Sequence, residues 1–369
     1  MKRTSRLLVS GYYGFGNAGD EAILAGLVEG FREIAPEVEL TVLSGDPAAT
    51  AAEHGVEAVP RGLTGVRSHL RLSDLLVSGG GGLLQDATSW RSPLYYLGII
   101  RLARAAGLPV ACIGHGIGPL NRRWVRWLVR RTLSDVDVLA VRDRSSLDML
   151  HALGVTRPTE ATADLAFVMT PPTETESLRA WEKAGLRSNG DPKVALALRH
   201  APGAGAADLP ASLAAGVAAA CEDLKADLVM VPMQRPGDLE FGEVVAREMS
   251  TEVAIVRAPL TAWETLALFR GFDLVIATRL HGLIFAAICG VPAVAISYDP
   301  KIDAMMGELG LSVATSTSAF DRKALAAGVR DAWEVRAGMT GLLSDRAGEL
   351  RAAALRNISL VASLLSEAR

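Results

Sequence analysis

The chain lacks several things that would have narrowed its function at once. Its three cysteines among 369 residues, Cys112, Cys221 and Cys289, lie far apart in apolar runs with no CxxC spacing. That excludes a disulfide framework and a thiolate metal knot, and it reads as core thiols in a reducing, cytoplasmic compartment. No excess of positive charge is present: the formal net charge is −3, so there is no basic field for nucleic acid and any cationic site must be local. No apolar run approaches the roughly 18 residues that span a bilayer. The run Leu7–Val9 behind Lys2, Arg3 and Arg6 is too short for a signal peptide. No cluster of His, Cys, Asp and Glu stands at metal-ligand spacing, so no metal and no cofactor is expected.

What is present is a large store of core-forming residues. Half the residues are hydrophobic and 21% are charged, enough for two ordinary domains and too apolar for disorder. Short apolar runs alternate with helical stretches: Arg6–Gly11, Leu40–Leu43, Asp74–Ser78, Pro109–Ile113 and Asp137–Val141 first, then Val194–Leu198, Leu228–Pro232, Val253–Val256, Leu274–Ala277 and Ala293–Ser297. Runs of this kind are buried parallel strands. Between Thr170 and Pro192 the apolar period lapses and Ser188-Asn-Gly-Asp-Pro192 is turn-forming. The expected organisation is α/β: two doubly wound Rossmann-like domains facing a crevice, as in the glycosyltransferase-B architecture. The domains are 1–172 and 193–345, joined by a linker at 173–192. A C-terminal helix at 346–369, part of an amphipathic stretch beginning at Gly341, crosses back to brace the first domain. The Ala-rich stretch 204–221 reads as a helix without a site. Arg122, Arg123, Arg126, Arg130 and Arg131, interleaved with Trp124 and Trp127, allow two readings: a basic face resting on anionic lipid, or a surface helix whose tryptophans enter the core while its arginines snorkel. The second is preferred.

In open parallel sheets ligands sit beyond the carboxyl ends of the strands. Arg279, Leu280 and His281 follow Ala277 at the head of a helix, where free N–H groups favour an anion, and Lys301 follows the next strand. The glycine-rich turn Gly14-Phe-Gly16-Asn17-Ala-Gly19 has the spacing of a dinucleotide fingerprint. Asp20 and Glu21 come straight after it and would repel a pyrophosphate, so nicotinamide binding is discounted. Those acids serve the helix dipole, or one of them orients a sugar hydroxyl. The four glycines 79–82 have no packing value, which points to close approach of a ligand at Gly80 and Gly81, with Asp86 just beyond. His115, between glycines at a strand end, is expected to expose its imidazole. Arg142 emerges at the end of its strand, at the topological position that Arg279 holds one domain later.

Taken in order, Gly14-Phe-Gly-Asn-Ala-Gly-Asp-Glu21, Ser78-Gly-Gly-Gly-Gly-Leu-Leu-Gln-Asp86, Gly114-His-Gly-Ile-Gly-Pro119, Val141-Arg-Asp-Arg-Ser-Ser146 and Thr278-Arg-Leu-His-Gly282 resemble the polysaccharide pyruvyl transferase family, and within it the CsaB branch acting on secondary cell-wall polymers. The resemblance implies phosphoenolpyruvate as donor, held by Arg142, Arg279, His281 and Lys301. It implies a 4,6-linked pyruvate ketal placed on N-acetylmannosamine of a lipid-linked precursor, at the inner face of the membrane. In that family the ketal is the handle for surface-layer anchoring. A donor bearing both phosphate and carboxylate wants several cations in one pocket. On this reading His281 supports the phosphate and acts as proton donor, while Asp20, Asp86 or His115 deprotonates the acceptor hydroxyls; the sequence does not rank those three. The competing expectation is a nucleotide-sugar glycosyltransferase of the same architecture, with Glu240 or Glu264 accepting from a ribose. Oligomeric state is left open.

Overall fold

The computed structural model describes residues 4–87, 89–187, 190–200 and 209–367. Ser188 and Asn189 of the expected turn, residues 204–208 of the Ala-rich stretch, and Lys2 and Arg3 lie outside the described residues. The chain divides into two compact units, Met1–Met169 with Glu349–Arg369, and Thr170–Gly348.

The first unit is a seven-stranded parallel sheet. Its strands are β1 (Arg6–Tyr13), β2 (Glu39–Ser44), β3 (Glu57–Pro60), β4 (Leu75–Leu84), β5 (Val110–Ile117), β6 (Val138–Val141) and β7 (Glu160–Ala161), in the order β3-β2-β1-β4-β5-β6-β7. Between them run α1 (Ala18–Ile34), α2 (Pro47–His54), α3 (Leu63–Leu70), α4 (Arg91–Ala105), α5 (Arg123–Leu133) and α6 (Arg144–Leu153). Central strands are apolar on both faces because helices cover both: Leu7, Leu8, Val9, Leu75, Leu76 and Val77 have no exposed surface.

The second unit contains α7 (Glu174–Lys183), then a six-stranded parallel sheet. Its strands are β8 (Lys193–Ala197), β9 (Asp227–Met230), β10 (Val253–Ile255), β11 (Leu274–Ala277), β12 (Ala293–Ser297) and β13 (Val313–Ser316), ordered β10-β9-β8-β11-β12-β13. Its helices are α8 (Leu209–Cys221), α9 (Gly237–Glu248), α10 (Ala262–Phe269), α11 (Leu280–Ile288) and α12 (Pro300–Glu308). Finally α13 runs unbroken from Arg322 to Glu367. Both sheets reverse direction beside their first strand, β1 against β4 and β8 against β11, and ligands of doubly wound sheets gather at that switch point.

Four expectations are corrected. The segment 173–192 is not an irregular linker: Thr173 and Glu176 form a reciprocal capping box that starts α7, and Trp181 of that helix donates to the Leu268 carbonyl at 3.0 Å. Strand β4 does not stop at Ser78 nor β5 at Ile113. The ladder continues through the glycines, pairing Gly81 with His115 and Leu84 with Ile117. The tryptophans of α5 do not enter the core, which that helix meets with Val125, Val129 and Leu133. The C-terminal helix begins at Arg322, not near Gly341. Its last part packs on the first unit, where the fully buried Asn357 accepts from Gly114 N–H at 3.1 Å and from Thr162 Oγ1 at 3.0 Å.

Candidate active site

The second unit carries the cationic cluster. At its switch point the Ala197 carbonyl accepts from both Thr278 N–H and Arg279 N–H, and Thr278 Oγ1 accepts from Arg199 N–H at 2.9 Å. Those bonds end β8 and β11 together and turn Arg199 and Arg279 out of the sheet edge. Arg199 Nη1 donates to the Tyr298 hydroxyl at 3.0 Å, its guanidinium lies 4.9 Å from that ring's centroid, and Lys301 Nζ lies 5.5 Å from the same centroid. Tyr298 thus gathers two cations on one aromatic ring.

Arg279 is held more firmly. Its Nε donates to Asp238 Oδ2 at 2.7 Å, its Nη2 to Asp238 Oδ1, and Nη2 also reaches Gln234 Oε1 at 3.2 Å. Asp238, itself buried, accepts from Met233 N–H and Gln234 N–H as well. Such a bidentate clamp fixes the plane of the guanidinium and takes up two of its three nitrogens. Lys301 pairs with Asp299 at 3.2 Å.

Side-chain caps close α10 and α12 but not α11. Thr261 and Glu264 close α10 with a capping box, and Asp299 caps α12 by accepting from Lys301 N–H. The N-cap of α11 is Arg279, which offers its helix no side-chain oxygen. A helix start left uncapped beside Arg199, Arg279 and Lys301 favours an anion. His281, half-buried, is the second residue of α11, and Leu280 turns into the core. Glu264 is committed elsewhere: besides capping α10 it takes both oxygens to Lys183 Nζ, at 2.6 and 2.7 Å. Glu240 is an exposed residue of α9.

In the first unit the expected residues differ in burial: Asp20 is half-buried, whereas Asp86, His115 and Arg142 are buried. Asp20 stays half-buried at the start of α1, accepting from Asn17 Nδ2 at 2.5 Å while Asn17 Oδ1 caps Gly19 N–H. Glu21 is buried and accepts from Gly14 N–H at 2.7 Å and pairs with His54 at 3.3 Å. Glu21, Glu53 and His54 bring their ligand atoms within 4.8 Å of one another, a grouping invisible in sequence spacing. The Asn17 side chain thus caps the start of α1.

Three site expectations are corrected here. The glycine tract has packing value after all: a Cβ on Gly80 would lie 2.0 Å from Ile23 Cγ2, one on Gly79 3.0 Å from Leu27 Cδ1, and one on Gly81 2.9 Å from Asp20 Oδ1. Helix α1 lies against these positions. Gly16 and Gly82 are open, since a Cβ at either would meet nothing within 4 Å. His115 is fully buried inside β5, its Nε2 bonded to the Ser78 carbonyl at 3.0 Å, and burial pulls its pKa down to about 4. Asp86 is buried too, accepting from Asn121 N–H at 2.6 Å and Arg122 N–H at 2.8 Å, so it anchors the approach to α5.

Arg142 also differs from expectation. It follows the sixth strand of its sheet whereas Arg279 follows the fourth of the other, so the two are not topological equivalents. It is buried between Asp143 (3.2 Å) and Asp164 (3.3 Å). Burial alone would lower its pKa, but the charges of Asp164 and Asp143 hold it above its ordinary value. Arg199, Asp238, Gln234 and Tyr298 were missed by sequence reasoning. Arg199 and Tyr298 had a signal, since each follows a strand that flanks β11.

A model of the polysaccharide pyruvyl transferase family matches residues 17–300, a span that takes in Arg142, Arg199, Arg279 and His281 and stops one residue short of Lys301. The amylovoran biosynthesis protein AmsJ of Erwinia amylovora is 25% identical over 280 residues, covering 69% of this chain and 64% of AmsJ; the chain thus spans a little under two thirds of that relative's length. Among solved structures, Anabaena HepE in complex with UDP and glucose has a TM-score of 0.62 at 15% identity, covering 98% of this chain and 100% of HepE. MnaA of S. aureus with UDP has a TM-score of 0.67 at 12% identity, covering 98% and 97%. At such identities the likeness shows the fold alone: two Rossmann-like α/β units of the glycosyltransferase-B class. With the family match extending over most of its length, the chain belongs to the polysaccharide pyruvyl transferase family.

Proposed function

We propose that the protein is a pyruvyl transferase of polysaccharide synthesis that uses phosphoenolpyruvate to build a 4,6-linked pyruvate ketal on a sugar, with release of phosphate. The observation that carries this is the uncapped start of α11, set among Arg199, Arg279 and Lys301 in a chain of that family. Phosphoenolpyruvate brings two anionic groups. The α11 N–H groups and Lys301 suit one of them, and Arg199 and the remaining face of Arg279 suit the other. Asp238 then positions Arg279, and Arg142 serves as a buried strut of the first unit instead of a donor ligand.

In the reaction a proton goes to the donor's methylene carbon, leaving a cationic C2. One sugar hydroxyl attacks C2 and loses its proton; phosphate leaves with the C–O electron pair; the second hydroxyl attacks and loses its proton to close the ketal. His281 at the head of α11 serves as the proton donor. Of the three acceptor-side candidates Asp20 is favoured, because Asp86 and His115 are buried and bonded within the first unit. The motif resemblance to the CsaB branch supports N-acetylmannosamine of a lipid-linked cell-wall precursor as acceptor. Since arginine, lysine and helix N–H groups meet the donor's charge, turnover is proposed to be metal-independent.

The test is phosphate release from phosphoenolpyruvate with and without a synthetic β-N-acetylmannosaminyl acceptor, followed by mass analysis of the sugar. Acceptor-dependent release with a ketal-sized mass gain is expected, and chelation by EDTA should not reduce it. The second reading, a nucleotide-sugar glycosyltransferase, draws on fold relatives solved with UDP. It is weakened by the commitment of Glu264 to Lys183, and binding of UDP without phosphoenolpyruvate would restore it.

A further inference from the structure

Helix α5 presents to solvent a face that the fold does not use. Its inner side is Val125, Val129, Thr132 and Leu133, all buried in the first unit's core. Its outer side carries Trp124, 44% exposed, and Trp127, 58% exposed. Trp90, at the start of α4 and 42% exposed, meets Trp124 edge-on with ring centroids 6.0 Å apart. Three large indoles therefore form one patch on the surface, which is costly to leave in water without a use.

The charge around the patch has one sign. From Asn121 to Ser134 there are five arginines and no acidic residue, in a chain whose formal net charge is −3. Arg122 is partly spent on Asp86 and Arg126 donates to the Leu120 carbonyl. Arg123 and Arg131 have no ion-pair partner among the described residues, and Arg131 stands 5.9 Å from the Trp127 ring centroid while Arg91 stands 5.6 Å from that of Trp90. Guanidinium and indole groups thus lie side by side on the outer face of α5 and at the adjoining start of α4.

We propose that this patch seats the protein on an anionic lipid bilayer, α5 lying flat with its tryptophans at the headgroup level and Arg91, Arg123 and Arg131 on lipid phosphates. A bilayer interface rewards both group types at the same depth: indoles prefer the headgroup region, and arginines are drawn by the anionic surface. No helix among the described residues is long and apolar enough to cross a membrane, so the contact is peripheral. The inference does not rest on the pyruvyl-transfer reading, because lipid binding is measured without turnover.

The experiment is vesicle flotation of the full chain. Vesicles of phosphatidylcholine mixed with phosphatidylglycerol should carry the protein upward, progressively less as salt rises, and vesicles of phosphatidylcholine alone should carry far less. Arg123→Gln with Arg131→Gln should weaken partition about fivefold per arginine removed. Trp124→Ala with Trp127→Ala should also release the protein, although its charge is unchanged, which separates seating from simple attraction. All four positions are exposed, and circular dichroism should show the variants folded. Independently of any variant, brominated phosphatidylglycerol should quench wild-type tryptophan emission. Failure of the wild type to float with anionic vesicles overturns the proposal, as does flotation of the arginine variant at wild-type strength. So does capture of a single-stranded oligonucleotide at a salt concentration where vesicles are ignored.

Discussion

Replacing Gly80 by alanine is the sharpest test of what the glycine tract does. Gly80 has φ of +68° and is buried in β4, and a Cβ there would sit 2.0 Å from Ile23 Cγ2 on α1. A left-handed alanine costs about 1–2 kcal/mol, and forcing a methyl into a packed contact costs about 1–3 kcal/mol more. Gly80→Ala should therefore destabilise the first unit by about 2–5 kcal/mol on those two terms. Two residues on, Gly82 is exposed, without a positive φ, and a Cβ there meets nothing within 4 Å. Gly82→Ala should be neutral or stabilising by up to about 1 kcal/mol, because it restricts the unfolded chain. A two-unit chain need not unfold in one step, so the readout is amide exchange in peptides of β4 and α1. Ile23→Ala removes the offending Cγ2. Combined with Gly80→Ala it should fall short of the sum of the single effects by at least about 1 kcal/mol. Equal losses at Gly80 and Gly82, or a Gly82→Ala protein that folds normally yet no longer binds ligand while Gly80→Ala is unharmed, would refute the packing account and return the tract to a ligand loop.

Arg279→Ala should abolish acceptor-dependent phosphate release while leaving the second unit folded, since Asp238 keeps its two backbone N–H donors; near-normal turnover would end the donor assignment. Asp238→Asn has the opposite profile. It strands a largely buried guanidinium, so it should cost about 3 kcal/mol in amide-exchange stability of α9 and β9 in addition to impairing turnover. His115 sets a pH dependence. Burial lowers its pKa from 6.5 to about 4, so between those values the unfolded chain binds the proton and the folded chain does not. Stability from this group is complete above about 6.5 and falls as pH drops toward 4, by about 3 kcal/mol in all. Denaturant midpoints across that window should show the slope, and His115→Gln should flatten it.

The strands were legible because burial on both faces leaves no choice but apolar runs, and every run read as a strand is one. Where strands end was legible only in part. Glycines after Ser78 and Ile113 break the apolar pattern, which places Gly80, Gly81 and His115 beyond the sheet, although a backbone ladder needs no side chain to continue. The same rule worked at β8 and β11 because a specific bond ends them: Thr278 Oγ1 takes the Arg199 N–H that a longer strand would have paired. Partners are harder still, since nothing local to Arg279 announces a carboxylate 41 residues away on α9. Helix α13 fails for a third reason. Leu325 and Val329 belong to the second unit's core, while Ala354, Ile358 and Val361 are buried farther along, with exposed Val335 and Leu342 between. No single apolar stripe runs through such a helix, so periodicity recovers only one part of it. What ties its last turns down is Asn357, a polar residue with no exposed surface whose amide oxygen holds Gly114 N–H beside His115. A pattern that sorts apolar from polar assigns that residue to solvent. Satisfying a buried backbone N–H requires the reverse, and the energetic cost of an orphaned donor, about 1–3 kcal/mol, makes a buried asparagine the better solution at this one position.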